Sequence, residues 1–376
     1  MRLAPLALSA LLASSFSQPA AAVVRGTGNG ALGYDHHSFE HRAFDFNAVA
    51  GQAPSDKHPW GTVRLGAFRA DAQLRPVGKA RVLEWDLFDN RIVAEIELGG
   101  ADGSHTVRIA RGAGGMVAVV GTSIGQAVRT ELVFLDDHDR IRKVVDLGEV
   151  THPAIAADGD LVAVTYLALE AELRTFRLST GEPIAKRTLP TGGTGPVVPS
   201  LWEPLHDVAV NGGEVLVLST WFEASRLERL TPTLGRRGLY TRHEDFIRNA
   251  RSFAPDQDRL SVSSQGVWIS WNDRVERLSP NLRREAGNDV GKGEGPAPRI
   301  AVDRASGRIA TDDGRLARSF GAEWVAAADF GHEVWHATDE LELRQDRVKD
   351  VLWAFGRAVI VRDAPGVGVT VLEPFE

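Results

Sequence analysis

An apolar residue followed by alanine, a short turn and a second apolar run recurs five times along the chain. The copies are Ile109-Ala110, Ile155-Ala156, Val208-Ala209, Phe253-Ala254 and Ile300-Ala301. Their first residues lie 46, 53, 45 and 47 positions apart. Behind the pair come turn residues and another strand, as in IAADGDLVAVTY (Ile155 to Tyr166) and VAVNGGEVLVLST (Val208 to Thr220). A period of ~40–50 residues carried by short strands marks a β-propeller array, because one such unit cannot bury its own apolar faces and must stack on its neighbours. The repeat constrains the fold far more than the function, since propellers host catalysts, ligand traps and scaffolds.

A second stretch repeats in phase with the first. RLERLTPTLGRR (Arg226 to Arg237) and RVERLSPNLRRE (Arg274 to Glu285) align without gaps at an offset of 48, with seven of twelve positions identical. Looser copies run from Glu131 to Gly148 and from Glu172 to Pro190. Each reads strand, polar turn, strand, which is a hairpin. Two hairpins in series make a four-stranded unit, one propeller blade. The alanine hairpin is rich in Ala, Val and Gly, and the second alternates Arg, Glu, Asp and Lys. Blades taper toward the axis, so the first is expected inside and the charged one outside, facing water. A two-layer β-sandwich is the alternative that strands at this spacing leave open.

The expected class is all-β, a propeller of about seven four-stranded blades, with six or eight compatible. The segments Thr62 to Gly78 and Val82 to Gly100 supply outer strands ahead of the first alanine pair. The final strand, Val367 to Pro374, is expected to pair with amino-terminal strands and close the ring, which leaves no unpaired edge there.

The first 22 residues read as an export signal. Met1-Arg2 gives a positive start, Leu3 to Phe16 an apolar stretch, and Ala20-Ala21-Ala22 a small-residue cleavage site. The division is therefore 1–22 signal peptide, 23–60 amino-terminal arm and 61–376 propeller. The apolar stretch is too short and too rich in Ser and Ala to span a membrane. The chain has no cysteine, which excludes disulfides and lipidation at an amino-terminal cysteine. Periplasm or extracellular space is the expected location. A net charge of −7, with arginine interleaved among acids, gives no indication of a nucleic-acid or anionic-membrane partner.

Few residues suggest chemistry. GTGNG (Gly26 to Gly30) lacks dinucleotide-binding spacing, and GNDVGKG (Gly287 to Gly293) has no Ser or Thr after its lysine. No Gly-x-Ser-x-Gly elbow occurs. Asp35, His37 and His41 form the one metal candidate, since His37 and His41 at i, i+4 would share a helix face. Against it stands a polar arm packed by Phe39, Phe44 and Phe46, and the expectation is no metal and no cofactor. His332 and His336 would point one way in a strand but lack a third ligand nearby. Asp136 to Asp139 could take calcium, yet they fall at a hairpin tip, where aspartate serves turn geometry.

Tryptophan is the remaining lead, nine against three tyrosines. Trp221 and Trp271 end inner hairpins, and Trp202 lies in the long interruption Thr191 to His206. Aromatics above a central channel would suit a sugar, a peptide or an apolar partner, and packing between blades is the alternative. Glu84-Trp85-Asp86 resembles the Trp-Asp ending of a WD40 blade, and RLSTGEPIAK (Arg177 to Lys186) is similar to the core of a quinoprotein repeat. At the level of fold the array thus resembles bacterial secreted propellers of WD40-like or quinoprotein-like type. The resemblance implies no cofactor, because the adjacent-cysteine disulfide of many quinoprotein dehydrogenases cannot form here. The expected function is a non-catalytic binding or scaffold propeller of the bacterial envelope, engaging a protein or glycan. The alternative is a propeller hydrolase or lyase acting on a polysaccharide or other polymer through carboxylates near the channel mouth.

Overall fold

The structure is a computed structural model. It describes residues 23–28, 45–70, 76–99, 103–124, 127–190, 205–221, 224–243, 259–263, 266–271, 274–289, 300–302, 309–311, 324–326, 348–362 and 368–373. Among these every regular element is a strand, and no helix is long and apolar enough to cross a membrane.

The strands form seven sheets. Blade 1 is β3 (Ala48–Ala50), β4 (Thr62–Ala70), β5 (Pro76–Asp86) and β6 (Arg91–Glu97). Blade 2 is β7 (Ser104–Gly112), β8 (Gly115–Ile124), β9 (Ala127–Leu135) and β10 (Ile141–Gly148), with β2 (Asp45–Phe46) parallel along the inner edge of β7. Blade 3 is β11 (Thr151–Asp158), β12 (Leu161–Leu167), β13 (Ala171–Arg177) and β14 (Pro183–Thr188). Blade 4 is β15 (Leu205–Asn211), β16 (Glu214–Trp221), β17 (Ala224–Leu230) and β18 (Arg236–His243). Blade 5 is β19 (Arg259–Ser263), β20 (Gly266–Trp271), β21 (Arg274–Leu278) and β22 (Arg284–Asp289). Blade 6 contributes β23 (Ile300–Val302), β24 (Ile309–Thr311) and β25 (Trp324–Ala326). Blade 7 is β26 (Val348–Ala354), β27 (Arg357–Arg362), β28 (Gly368–Glu373) and β1 (Val23–Gly28).

The first strand of each blade touches the first strand of the next, from β3 through β7, β11, β15, β19, β23 and β26 back to β3, so the ring is closed. The protein is a β-propeller, with seven blades among the described residues. Closure comes from both ends of the described chain, since β1 pairs antiparallel with β28. The segment read as an amino-terminal arm therefore supplies the outermost strand of blade 7 and, in β3, the innermost strand of blade 1.

Period-2 alternation builds the core between blades rather than inside one. Along β8, Met116, Ala118 and Val120 pack toward blade 1, while Val117 and Val119 pack toward blade 3. Five such seams are filled by apolar side chains, from blades 7 and 1 around to blades 4 and 5. Second strands are thus buried on both faces, whereas β6, β10 and β14 are at least partly exposed at every position. The assignment of alanine hairpins inside and charged hairpins outside holds for these blades.

Four of the five alanine pairs lie on innermost strands: Ile109-Ala110 on β7, Ile155-Ala156 on β11, Val208-Ala209 on β15 and Ile300-Ala301 on β23. Phe253-Ala254 lies outside the described residues, and the inner strand of blade 5 is β19. There the backbone N–H of Leu260 stands where that of Ile109 stands in blade 2. Both receive a side-chain oxygen from the preceding blade, Asp207 Oδ2 at 2.7 Å and Asn47 Oδ1 at 2.6 Å. Asp350 Oδ2 does the same for Ala48 at 2.8 Å, across the junction of blades 7 and 1. Among the described residues the innermost strands lack a ladder partner on one edge, except where β2 pairs with Thr106 and Val107 of β7, and these side chains satisfy amides that would otherwise face the axis unpaired. The reading of Thr62 to Gly78 as outer strand is corrected: β4 is the second strand of blade 1, with Val63, Leu65 and Ala67 fully buried.

The turns are equally repetitive. Gly212 and Gly213 join β15 to β16 with φ of 58° and 77°, the pair of left-handed residues that a two-residue hairpin of matching twist requires. Between the third and fourth strands one left-handed residue recurs in five blades, Asn90, Asp139, Gly181, Leu234 and Leu282. For leucine that conformation costs about 1–2 kcal/mol. Burial of Leu234 and Leu282 in the seams offsets it. These hairpin tips, read as polar turns, are anchored by a buried apolar side chain.

Candidate functional site: the loop-bearing face

In an up-and-down blade, first strands begin and second strands end at the same face. The links from one blade to the next and from second to third strand therefore gather on one side of the ring. In the described antiparallel blades the opposite side carries the first-to-second and third-to-fourth turns; blade 6 departs from this order, since β25 runs parallel to β24. β14, β18 and β22 end, and β15, β19 and β23 begin, at the first side; the links between them are residues 189–204, 244–258 and 290–299 of the sequence. This is the loop face.

Trp221 is the last residue of β16 and Trp271 the last of β20, so both strand ends belong to the loop face. Their backbones pair with Ala224 and Arg274 across the turn. Trp202 falls within 189–204 and lies outside the described residues. Leu169, at the bend between β12 and β13, stands on the same face with its side chain fully exposed. Three other tryptophans, Trp60, Trp85 and Trp268, are buried between blades.

His206, the second residue of β15, sits just inside this face. Its Nδ1 meets Ser219 Oγ at 2.9 Å, and its buried Nε2 has no hydrogen-bond partner among the described residues. Desolvation drives its pKa from 6.5 down to about 4, so the fold holds the neutral ring. Between those values the unfolded chain binds a proton that the folded chain refuses. The contribution is complete above pH 6.5 and is lost as pH falls toward 4, a change of about 3 kcal/mol. Urea midpoints measured across this range should fall with acidity in the native protein. In a His206→Gln variant the slope should flatten.

The charged repeat does more than face water. Glu228 and Glu276, equivalent positions of the Arg-x-Glu-Arg-Leu repeat, are almost fully buried. Glu228 accepts from Arg226 at 2.7 Å and from Arg187 on the outer strand of blade 3 at 3.1 Å. Glu276 accepts from Tyr240 of blade 4 at 2.6 Å, with Arg242 at 3.6 Å. Burial first, and then this bond, raise the Tyr240 pKa. On the turn face Arg64 joins Glu84 and, across to blade 2, Asp139, at 3.1 and 2.5 Å. His58 bonds Asp86, whose other oxygen caps the backbone N–H groups of Phe88 and Asp89 at 2.8 Å each. Each of these groups is committed to stitching neighbouring segments together. The sequence signal for Glu228 and Glu276 was their identity within the aligned repeat.

Among the described residues no group of three or more His, Asp or Glu is placed to hold a metal ion. Asp35, His37 and His41 lie outside the described residues, as do His332 and His336. The hairpin-tip reading of Asp136 to Asp139 agrees with the geometry. Asp136 Oδ1 accepts the N–H groups of His138 and Arg140 at 2.8 and 2.9 Å, and Asp139 takes the left-handed position.

No protein-family model matches the sequence, and neither does any curated protein. Solved structures do match in shape. The β-propeller domain of Cps50 (Swd1) from Myceliophteria thermophila superposes with a TM-score of 0.54 at 12% identity, covering 94% of this chain and all of that domain. A chain of the mitotic checkpoint complex superposes with a TM-score of 0.50 at 9% identity over the full length of both. At such identities the likeness is one of fold, and on fold the chain is a β-propeller.

Proposed function

We propose that this protein is a non-catalytic binding or scaffold propeller of the bacterial envelope, which engages a protein or glycan through its loop face. The observation that supports this most is topological. The strand ends that open and close the connections from blade 3 to 4, 4 to 5 and 5 to 6, the strand ends at Trp221 and Trp271 and the exposed Leu169 share one side of a closed ring. Loops on a rigid scaffold carry binding groups at little cost to the fold, and exposed aromatic side chains dominate binding energy where they anchor a partner. The polar clusters described above are absorbed in joining blades, which favours binding over catalysis. Export is supported by the signal-like first 22 residues: cleavage after Ala22 leaves Val23, which opens the closing strand β1.

Affinity capture from envelope extract tests this reading, with the mature protein and a Trp202→Ala/Trp271→Ala variant compared side by side. The variant should lose its captured partner while its circular dichroism and melting temperature stay unchanged. Capture that survives the substitutions would move the binding surface elsewhere. A loss of about 3–5 kcal/mol of stability for each ring would return the tryptophans to packing between blades.

A further inference from the structure

The sequence interleaves arginine with acids, but the fold separates them. Around Glu228 stand Arg226, Arg187 and Arg236, at 2.7, 3.1 and 3.9 Å. Glu214 faces Arg229 at 3.2 Å and Arg237 at 3.7 Å. Glu276 faces Arg284 at 3.4 Å and Arg242 at 3.6 Å. Glu172 faces Lys186 at 2.5 Å and Arg174 at 3.2 Å. At each of these four carboxylates cations outnumber the acid, and Glu228 and Glu276 are withdrawn from the surface. The outer rim of blades 3 to 5 is therefore basic in a chain whose net charge is −7.

The surplus is most exposed on β18. Arg236 and Arg237 open the strand with side chains 53% and 60% exposed. Leu239 lies two residues beyond Arg237, on the same side of the strand, and is 46% exposed. Thr241 continues that exposed row, while Tyr240 and Arg242 face Glu276 of blade 5. Among the described residues β18 is the last strand of its sheet, and no described strand pairs with its outer edge.

A row of like charges repels a second copy of the same edge and so guards against self-association. The same field attracts a strand of opposite charge. We infer that the free edge of β18 takes an acidic, extended polypeptide segment as a fifth strand of blade 4. Main-chain hydrogen bonds would supply affinity, with alternate side chains supplying selectivity. An acidic residue opposite Arg237 and an apolar one opposite Leu239 form favourable cross-strand pairs. An anionic polysaccharide or phosphate polymer would use the arginines but neither the backbone edge nor Leu239. This surface is separate from the loop face, and its variants leave Trp202, Trp221 and Trp271 untouched.

Fluorescence anisotropy with the mature chain and a labelled eight-residue peptide of repeating Thr-Glu-Thr-Val, which sets Glu and Val two residues apart on one side of the strand, provides the test. The comparison probes are the same peptide with Lys in place of Glu, the Glu peptide N-methylated along both edges, and inorganic polyphosphate. The Glu peptide should bind saturably and more weakly at high salt, and should slow amide exchange within Arg236–His243. The Lys and N-methylated peptides should not bind. Arg236→Glu/Arg237→Glu should weaken binding by at least about tenfold at an unchanged melting temperature. An N-methylated peptide that binds as tightly as its parent, or polyphosphate that binds as tightly as the peptide, would show charge attraction without strand addition and overturn the proposal. A parent peptide that fails to bind, or a double variant that binds normally, would do the same.

Discussion

Glu228→Ala should destabilise the protein by about 3 kcal/mol, read as a lower denaturation midpoint with an unchanged slope. The carboxylate is almost fully buried and holds Arg226 of its own blade and Arg187 of blade 3. Its removal leaves two guanidinium groups facing each other across the seam without an acceptor. The figure stands at the low end for a buried pair because Arg187 and Arg226 keep 28% and 23% of their side chains exposed, so water recovers part of the loss. Glu228→Gln should retain the packing, restore one acceptor and fall between the two. An alanine variant as stable as the native protein would show the seam to be held by its apolar residues alone.

Trp268→Ala should cost about 3–5 kcal/mol. The indole is 2% exposed, and its neighbours Val267 and Ile269 fill the seam with blade 4. Alternation along β20 therefore aims Trp268 toward the blade 6 side, with the Arg277 guanidinium 5.4 Å from its ring centroid. Among the described residues its Nε1 has no hydrogen-bond partner. Trp268→Phe then loses apolar area only, roughly 1 kcal/mol. Trp85 behaves differently, because its Nε1 donates to Asn90 Oδ1 at 2.9 Å. Trp85→Phe should cost an additional ~1 kcal/mol for that bond. Chemical denaturation of the three single variants separates the cases. Equal costs for the two Phe variants would argue against the Trp85 bond.

The architecture was legible because a propeller writes its fold into local pattern. Short strands, turn residues at fixed spacing and small apolar residues near the axis are nearest-neighbour requirements, and each blade restates them. That is why four alanine pairs, the sidedness of the hairpins and closure by the last strand could be read from residues alone. β3 escaped notice because it has three residues and no periodicity to detect. Leu234 and Leu282 were hidden inside turn-like sequence, where only the neighbouring blade shows that the side chain is buried.

The candidate surfaces divide the same way. The sequence placed Trp202, Trp221 and Trp271 near strand ends and interruptions, because connectivity along the chain is enough to say that much. It could not show that Arg187 and Arg226, 39 residues apart, share one buried carboxylate. Nor could it show that acids turning inward leave a basic rim on an acidic protein. Local pattern sets which residues lie on a strand and which side they face. Charge balance at a surface depends on which strand of the next blade stands opposite, and only closure of the ring decides that.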